Sequence, residues 1–119
     1  MPDISPGEDA WLKVDNQTWA NARGKASATT TNASPSGAQI LARKQSTTYD
    51  VYRYFLAFDT SAIDAVPKSA TLKLRGFSSG TADLIVVRVN PNATGDSGTN
   101  FVAGDFSKVS FTDPYSAEV

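Results

Sequence analysis

The chain has 119 residues, 40% of them hydrophobic and 19% charged, a balance that belongs to one folded domain with a modest core and not to a disordered segment. Its 11 Lys and Arg against 12 Asp and Glu leave a net charge of -1, which gives no long-range field for a phosphate backbone, so nucleic acid is not an expected partner. Cysteine and histidine are both absent, which removes disulfides, thiolate nucleophiles, Ser-His-Asp relays and metal centres built on Cys or His.

Met1 to Glu8 reads as an extended lead-in broken by Pro2, Pro6 and Gly7, with no basic stretch leading into an apolar one. No apolar run approaches membrane-spanning length, so insertion into a bilayer is not expected. Residues 9–119 then read as a single β domain. In DAWLKV, Ala10, Leu12 and Val14 alternate against Trp11, Lys13 and Asp15, the period of two that marks a strand. Asp15 to Gly37 is polar, rich in Asn, Ser, Thr and Ala. Its one helix candidate, Trp19 to Ala28, lacks an apolar stripe and carries Gly24, so irregular chain is expected there. A structureless stretch of that length is uncommon in a small domain and points to a functional loop or one ordered by a partner. Strand character resumes at Gly37 to Gln45, with Ala38, Ile40 and Ala42 on one side and Gln39, Leu41 and Arg43 on the other.

Tyr49 to Arg75 organises the chain. In Val51 to Asp59, Tyr52, Tyr54, Leu56 and Phe58 fall on one face and Val51, Arg53, Phe55, Ala57 and Asp59 on the other; after a connection holding Ser61, Asp64 and Pro67, Ala70, Leu72 and Leu74 alternate against Thr71, Lys73 and Arg75. Two strands joined by a turn-rich connection are expected. Ser78 to Thr81 reads as a turn, and Leu84 to Val89 as a strand apolar on both faces, suited to a central position. Asn90 to Asn100 is turn chemistry. Phe101, Phe106, Val109 and Phe111 read as anchors that pin a loop or short strand to the core, and TDPYSAEV ends without a covering strand. The pattern predicts an all-β domain, a two-sheet sandwich or, alternatively, a barrel.

The stretch FLAFDTSAIDAVPKSATLKLRG resembles the central signature of the DNRLRE-type jelly-roll modules of bacterial and phage proteins. The matching residues are Arg53, Phe58, Asp59, Ser61, Ile63, Pro67, Ser69, Ala70, Leu72 and Leu74, while Asp9, Ala10 and Trp11 are similar to the family's first strand. The likeness covers the middle third of the chain closely and the first third loosely. It implies a jelly-roll-like two-sheet β-sandwich that serves without catalysis in phage structural proteins, bacterial surface proteins or carbohydrate-binding modules; the phage versions are nearest, notably in PYSAEV. Family members continue past that point with further strands, so the sandwich is expected to be incomplete here, as a fragment or as a domain completed by another chain. Arg53, Phe58, Asp59, Pro67, Leu72 and Leu74 are then structural residues, with Arg53 and Asp59 in an ion pair or in backbone contacts at strand ends.

No residue set makes a catalytic constellation. Candidates for the paired carboxylates of glycoside chemistry exist among Asp9, Asp50, Asp59, Asp83, Asp96, Asp105 and Asp113, but most of these sit beside turn residues, where a local structural role is ordinary. The chain is read as a non-enzyme without a cofactor. Calcium is a minor alternative, with oxygens from Asp96, Ser97, Asn100 and Asp105, whose spacing matches no defined calcium loop. Glycan binding is the leading ligand reading, because an aromatic face covers a sugar ring while amides bond its hydroxyls. Trp11 and Trp19, with Asn16, Gln17 and Asn21 between and beside them, are the candidates; the competing role for Trp11 is strand packing and for Trp19 loop anchoring. Tyr49, Tyr52 and Tyr54 are assigned to core or interface. The small side chains of Ala26 to Gly37 suit an extended segment laid along a neighbouring subunit. The expected function is that of a phage virion protein, a decoration, fibre or tail-associated component, assembling with itself or other virion proteins and attaching to host-surface glycan. The alternative is a carbohydrate-binding module of a bacterial surface protein or polysaccharide-degrading enzyme, at the cell surface or outside the cell.

Overall fold

The computed structural model describes residues 4–33, 39–66, 68–74, 85–89 and 100–114. Its frame is a four-stranded antiparallel sheet built on β1 (Glu8–Gln17) and β4 (Thr48–Ala57), paired over most of their length, with β2 (Thr30–Asn32) outside β1 and β3 (Leu41–Gln45) outside β4. The alternation seen in DAWLKV sets which face is buried: Ala10, Leu12 and Val14 are fully buried and stand opposite Phe55, Arg53 and Val51. Gln45 and Thr48 close β3 on β4 through a two-residue turn, with Ser46 at φ 52° and the Thr48 hydroxyl donating to the Gln45 carbonyl. A positive φ at the first turn residue matches the twist of a tight hairpin.

The second layer is mixed. A helix, α1 (Trp19–Gly24), a 3-10 helix (Ala103–Ser107) and a two-stranded sheet of β5 (Val87–Val89) and β6 (Val109–Pro114) supply Ala22, Phe106, Val89 and Val109 to the same core, joined by Phe101. Phe101 meets Phe55 at 5.2 Å between ring centroids. Arg53 holds the layers together: its guanidinium donates to the Phe106 carbonyl and, at 2.9 Å, to the Arg23 carbonyl at the end of α1, and lies 4.1 Å over the Phe106 ring. A cation at the C-terminal carbonyls of a helix is favourable, and the aromatic face adds a cation–π contact. Asp105 is buried and closes the 3-10 helix reciprocally, accepting from the Val102 N–H while its own N–H donates to the Val102 carbonyl; Lys108 approaches its other oxygen at 3.5 Å.

The expected all-β jelly-roll sandwich is therefore incorrect: the chain forms a small mixed α/β fold with two open sheets and an integral helix. Three local competitions account for it. Trp19–Gly24 is helical although it has no apolar stripe, because Thr18 caps it, accepting from the Asn21 N–H, and one small residue, Ala22, is enough to seat six residues on the sheet. The run Ala70 to Leu74 is not a strand: β1 and β3 already occupy both sides of β4, so this segment finds no open edge beside it, and Leu72 and Leu74 stay 43% and 55% exposed. Val87–Val89 pairs with β6 in the two-stranded sheet instead of lying centrally, and Ile85 before it is exposed. Within Phe101 to Phe111, expected to hold a loop or short strand, β6 begins at Val109 and runs on to Pro114, and residues 115–119 lie outside the described residues. Leu84, the Ser78–Thr81 turn and most of Asn90–Asn100 lie outside the described residues.

Candidate functional site

The two faces of the four-stranded sheet carry different chemistry, and a bulge at Asn16 decides which aromatic residue joins which. Up to Val14, opposite Val51, the strands are in simple register; Gln17 is next opposite Tyr49, so β1 spends one residue more than β4 over that interval. Asn16 takes φ 54° there, a conformation that Asn tolerates better than most residues. The extra residue turns Gln17 to the core-side face, which Tyr49 shares with Val51.

On that face Trp19, at the start of α1, meets Tyr49 with ring centroids 5.6 Å apart at 54°. Trp19 remains 44% exposed. Together with Ala42 and Lys44 of β3 the two rings line an open depression of about 380 Å³. Lys44 and Gln17 are the direct neighbours of Tyr49 on either side, so the aromatic floor runs between an ammonium and an amide. Ala42 adds little bulk, which leaves room above the rings. The cleft thus has an apolar wall, one cationic group in its lining, the Gln17 strand position next to Tyr49 and direct access from solvent, an arrangement able to take a sugar ring.

The opposite face has an aromatic row of its own, but its polar groups are consumed internally. Trp11 packs on Tyr52 at 5.8 Å, and Lys13 stands 5.8 Å over the Tyr52 ring. The Tyr54 hydroxyl donates to Asp9 at 2.7 Å, and burial, helped by that bond, pushes its pKa up to about 12. Lys13 and Asp15 pair at 2.8 Å; their bond raises the lysine and lowers the carboxyl, and the Thr29 hydroxyl, donating to Asp15, lowers it further. Asp50, 3% exposed, accepts from Arg43 at 2.7 Å, Gln45 at 2.5 Å and the Asn16 N–H at 3.4 Å. The Arg43 bond leads in holding this carboxyl below the usual range.

The five residues proposed for glycan binding are accordingly divided. Trp19 lines the cleft and Gln17 stands opposite Tyr49 in register without lining it, whereas Trp11 lies on the other face, half-buried against Tyr52. Asn16 serves the bulge, and Asn21 is exposed on α1, its N–H bonded to the Thr18 hydroxyl. Tyr49 and Lys44, which sequence reasoning did not assign to the site, complete it. Their signal was the short spacing from Gln45 to Thr48: a two-residue hairpin there sets Lys44 opposite Tyr49. Of the residues assigned structural roles, Arg53 binds backbone carbonyls, while Asp59 accepts from the Ser61 N–H at 2.9 Å in an exposed turn, its carboxyl held low by Ser61. Phe58 is 38% exposed, Leu72 and Leu74 lie on the exposed segment described above, and Pro67 lies outside the described residues. Of the calcium candidates Asp105 is engaged in the 3-10 helix, Asn100 is exposed, and Asp96 and Ser97 lie outside the described residues. Among the described residues no group of three or more Asp, Glu, His or Cys is placed to hold a metal ion. A second open depression, within Thr60 to Val66, has no aromatic residue. No family model matches the chain, and no curated protein or solved structure matches it either.

Proposed function

We propose that this domain is a noncatalytic attachment module that holds a sugar ring on the Trp19–Tyr49 cleft, carried in many copies by a phage particle as a decoration, fibre or tail-associated component. The observation that carries the reading is the exposed Trp19 ring beside Tyr49, open to solvent and bordered by Lys44, with Gln17 opposite Tyr49 in register. Leaving an indole 44% exposed forgoes burial that the core would reward, which is reasonable where a ligand completes it. A single open contact of this kind binds weakly, and repetition on a particle raises the overall avidity. The virion setting rests on the sequence resemblance alone. A carbohydrate-binding module of a bacterial surface protein or polysaccharide-degrading enzyme would use the same contact in a different setting.

The test is glycan-array screening of the isolated domain followed by calorimetry on any hit, for the native chain and Trp19→Ala. The expected result is saturable binding weakened about 30-fold by Trp19→Ala, corresponding to loss of an anchor worth about 2 kcal/mol, with the urea midpoint lowered by no more than about 1 M through loss of the contact with Tyr49. Glycan affinity that survives Trp19→Ala overturns the site. Stable self-association with no glycan affinity would instead favour a purely assembly role.

A further inference from the structure

The charge around the cleft narrows the ligand class. We infer, resting on the glycan reading above, that the site takes an acidic sugar, one whose ring carries a carboxylate, with Lys44 as the recognising cation. Lys44 lines the depression with Trp19, Tyr49 and Ala42 and lies directly opposite Tyr49 in the β3–β4 register. Its setting differs from that of the cations around it. Lys13 is taken by Asp15 at 2.8 Å and Arg43 by Asp50 at 2.7 Å. For Lys44 none of its strand neighbours and cross-strand neighbours, Ala42, Thr47, Tyr49 and Val51, is acidic, and among the described residues it forms no ion pair.

The nearby carboxylates reinforce the point. Asp50 and Asp15 are the acidic residues closest along the strands, yet both are directed to the other face and are neutralised there by Arg43 and Lys13. Among the described residues the cleft therefore presents one positive charge with no acidic partner, beside an apolar aromatic floor. A neutral sugar would use the floor and the Gln17 amide but leave that charge to water. A ring bearing a carboxylate at its edge uses both, since it stacks on Trp19 while the carboxylate meets the ammonium.

The experiment uses matched pairs, a glucuronate-terminated and a glucose-terminated oligosaccharide and a sialylated and an unsialylated one, titrated into the native chain, Trp19→Ala and Lys44→Gln at 50 and 500 mM salt. At least one acidic member is expected to bind more tightly than its neutral partner, by roughly fivefold at low salt, with the preference lost in Lys44→Gln and reduced at high salt, as for a solvent-exposed ion pair. Trp19→Ala should weaken both members of that pair. Equal binding of acidic and neutral partners, or a preference that Lys44→Gln leaves intact, overturns the acidic-sugar inference while the glycan site stands. Binding of no member of either pair, when the native chain does bind a neutral glycan on the array, also overturns this inference alone; absence of any glycan binding, array included, overturns both.

Discussion

The carboxylate of Asp50 is the most heavily engaged polar group on the outer face of the sheet, and its removal separates two kinds of electrostatic loss. In Asp50→Ala no charge is stranded inside: the Arg43 side chain is 51% exposed and Gln45 is exposed, so both return to water, and only the Asn16 N–H loses its acceptor. Hydrogen bonds to a buried charged group contribute about 1.5–3 kcal/mol. Because the two side-chain partners regain hydration, the lower part of that range applies, and a net loss of about 2 kcal/mol is expected. With a urea slope of roughly 1.5 kcal/mol per M for a domain of this size, the midpoint should fall by about 1.3 M.

Arg43→Ala acts the other way round, because it leaves the buried carboxylate with only Gln45 and the Asn16 N–H. The native carboxyl titrates below the ordinary aspartate value of 3.8, so the stability it lends is complete above about pH 4 and is lost as the pH falls through the depressed folded value. Asp50→Ala should lack that acid-induced loss. Arg43→Ala raises the Asp50 pKa, so its deficit relative to the native chain should shrink as the pH falls. Urea unfolding followed by tryptophan fluorescence at pH 7, 5 and 3 measures all three profiles. A midpoint shift below about 0.3 M in Asp50→Ala at pH 7, or parallel pH profiles for all three chains, would refute the assignment of Asp50 as the charged centre of this network.

Phe106 is fully buried under the Arg53 guanidinium whereas Phe111, also near Arg53, is 59% exposed. Thermal unfolding should therefore show a loss of about 3–5 kcal/mol for Phe106→Ala and under about 1 kcal/mol for Phe111→Ala; equal losses would contradict the core assignment. Tyr54, with a pKa pushed up to about 12, should remain protonated in ultraviolet titration through about pH 10, where a tyrosine free in solution ionises. Unfolding frees it to ionise near pH 10, so its contribution to stability should fall as the pH rises from 10 to 12, and Tyr54→Phe should remove that part of the alkaline loss. At the bulge, Asn16→Gly should be tolerated within about 0.5 kcal/mol, because glycine accepts positive φ freely, while Asn16→Val should cost about 1–2 kcal/mol in urea unfolding.

The parts of the fold legible in the sequence were those decided by one strand's own alternation. Ala10, Leu12 and Val14 needed only the period of two to declare a buried face, and Phe101 and Phe106 stood out as apolar anchors in a polar background; both are buried. What failed were conclusions that depend on who pairs with whom. Leu72 and Leu74 alternate as cleanly as Leu12 and Val14, but alternation states only that a strand would have an apolar side. It does not provide an open edge, and the edges of β4 were taken by β1 and β3. The helix failed for the opposite reason. Six residues with a single buried alanine leave too weak a periodic signal to recognise, and what holds them is the Thr18 cap together with a sheet surface assembled from distant parts of the chain.

The site was obscured by one residue of register. Read as an uninterrupted strand, β1 sends Trp11, Lys13, Asp15 and Gln17 to the same side, which places Gln17 with Trp11 and separates it from Tyr49. The bulge at Asn16 reverses that parity for the last residue alone. Gln17 crosses to the face of Tyr49, and Thr18 can then start α1 over that same face, so Trp19 comes down on Tyr49. A residue with positive φ that is not glycine gives no compositional mark beyond Asn itself, and Asn is equally at home in any turn. The separation of Trp11 into a packed, internally satisfied face and Trp19 into an open cleft thus follows from a single backbone conformation. The same conformation places the Asn16 N–H against Asp50, so the carboxylate that draws Arg43 to the outer face also braces the bulge that forms the cleft on the inner one. With Arg43 held by Asp50, Lys44 is the cation of β3 left facing Trp19 and Tyr49.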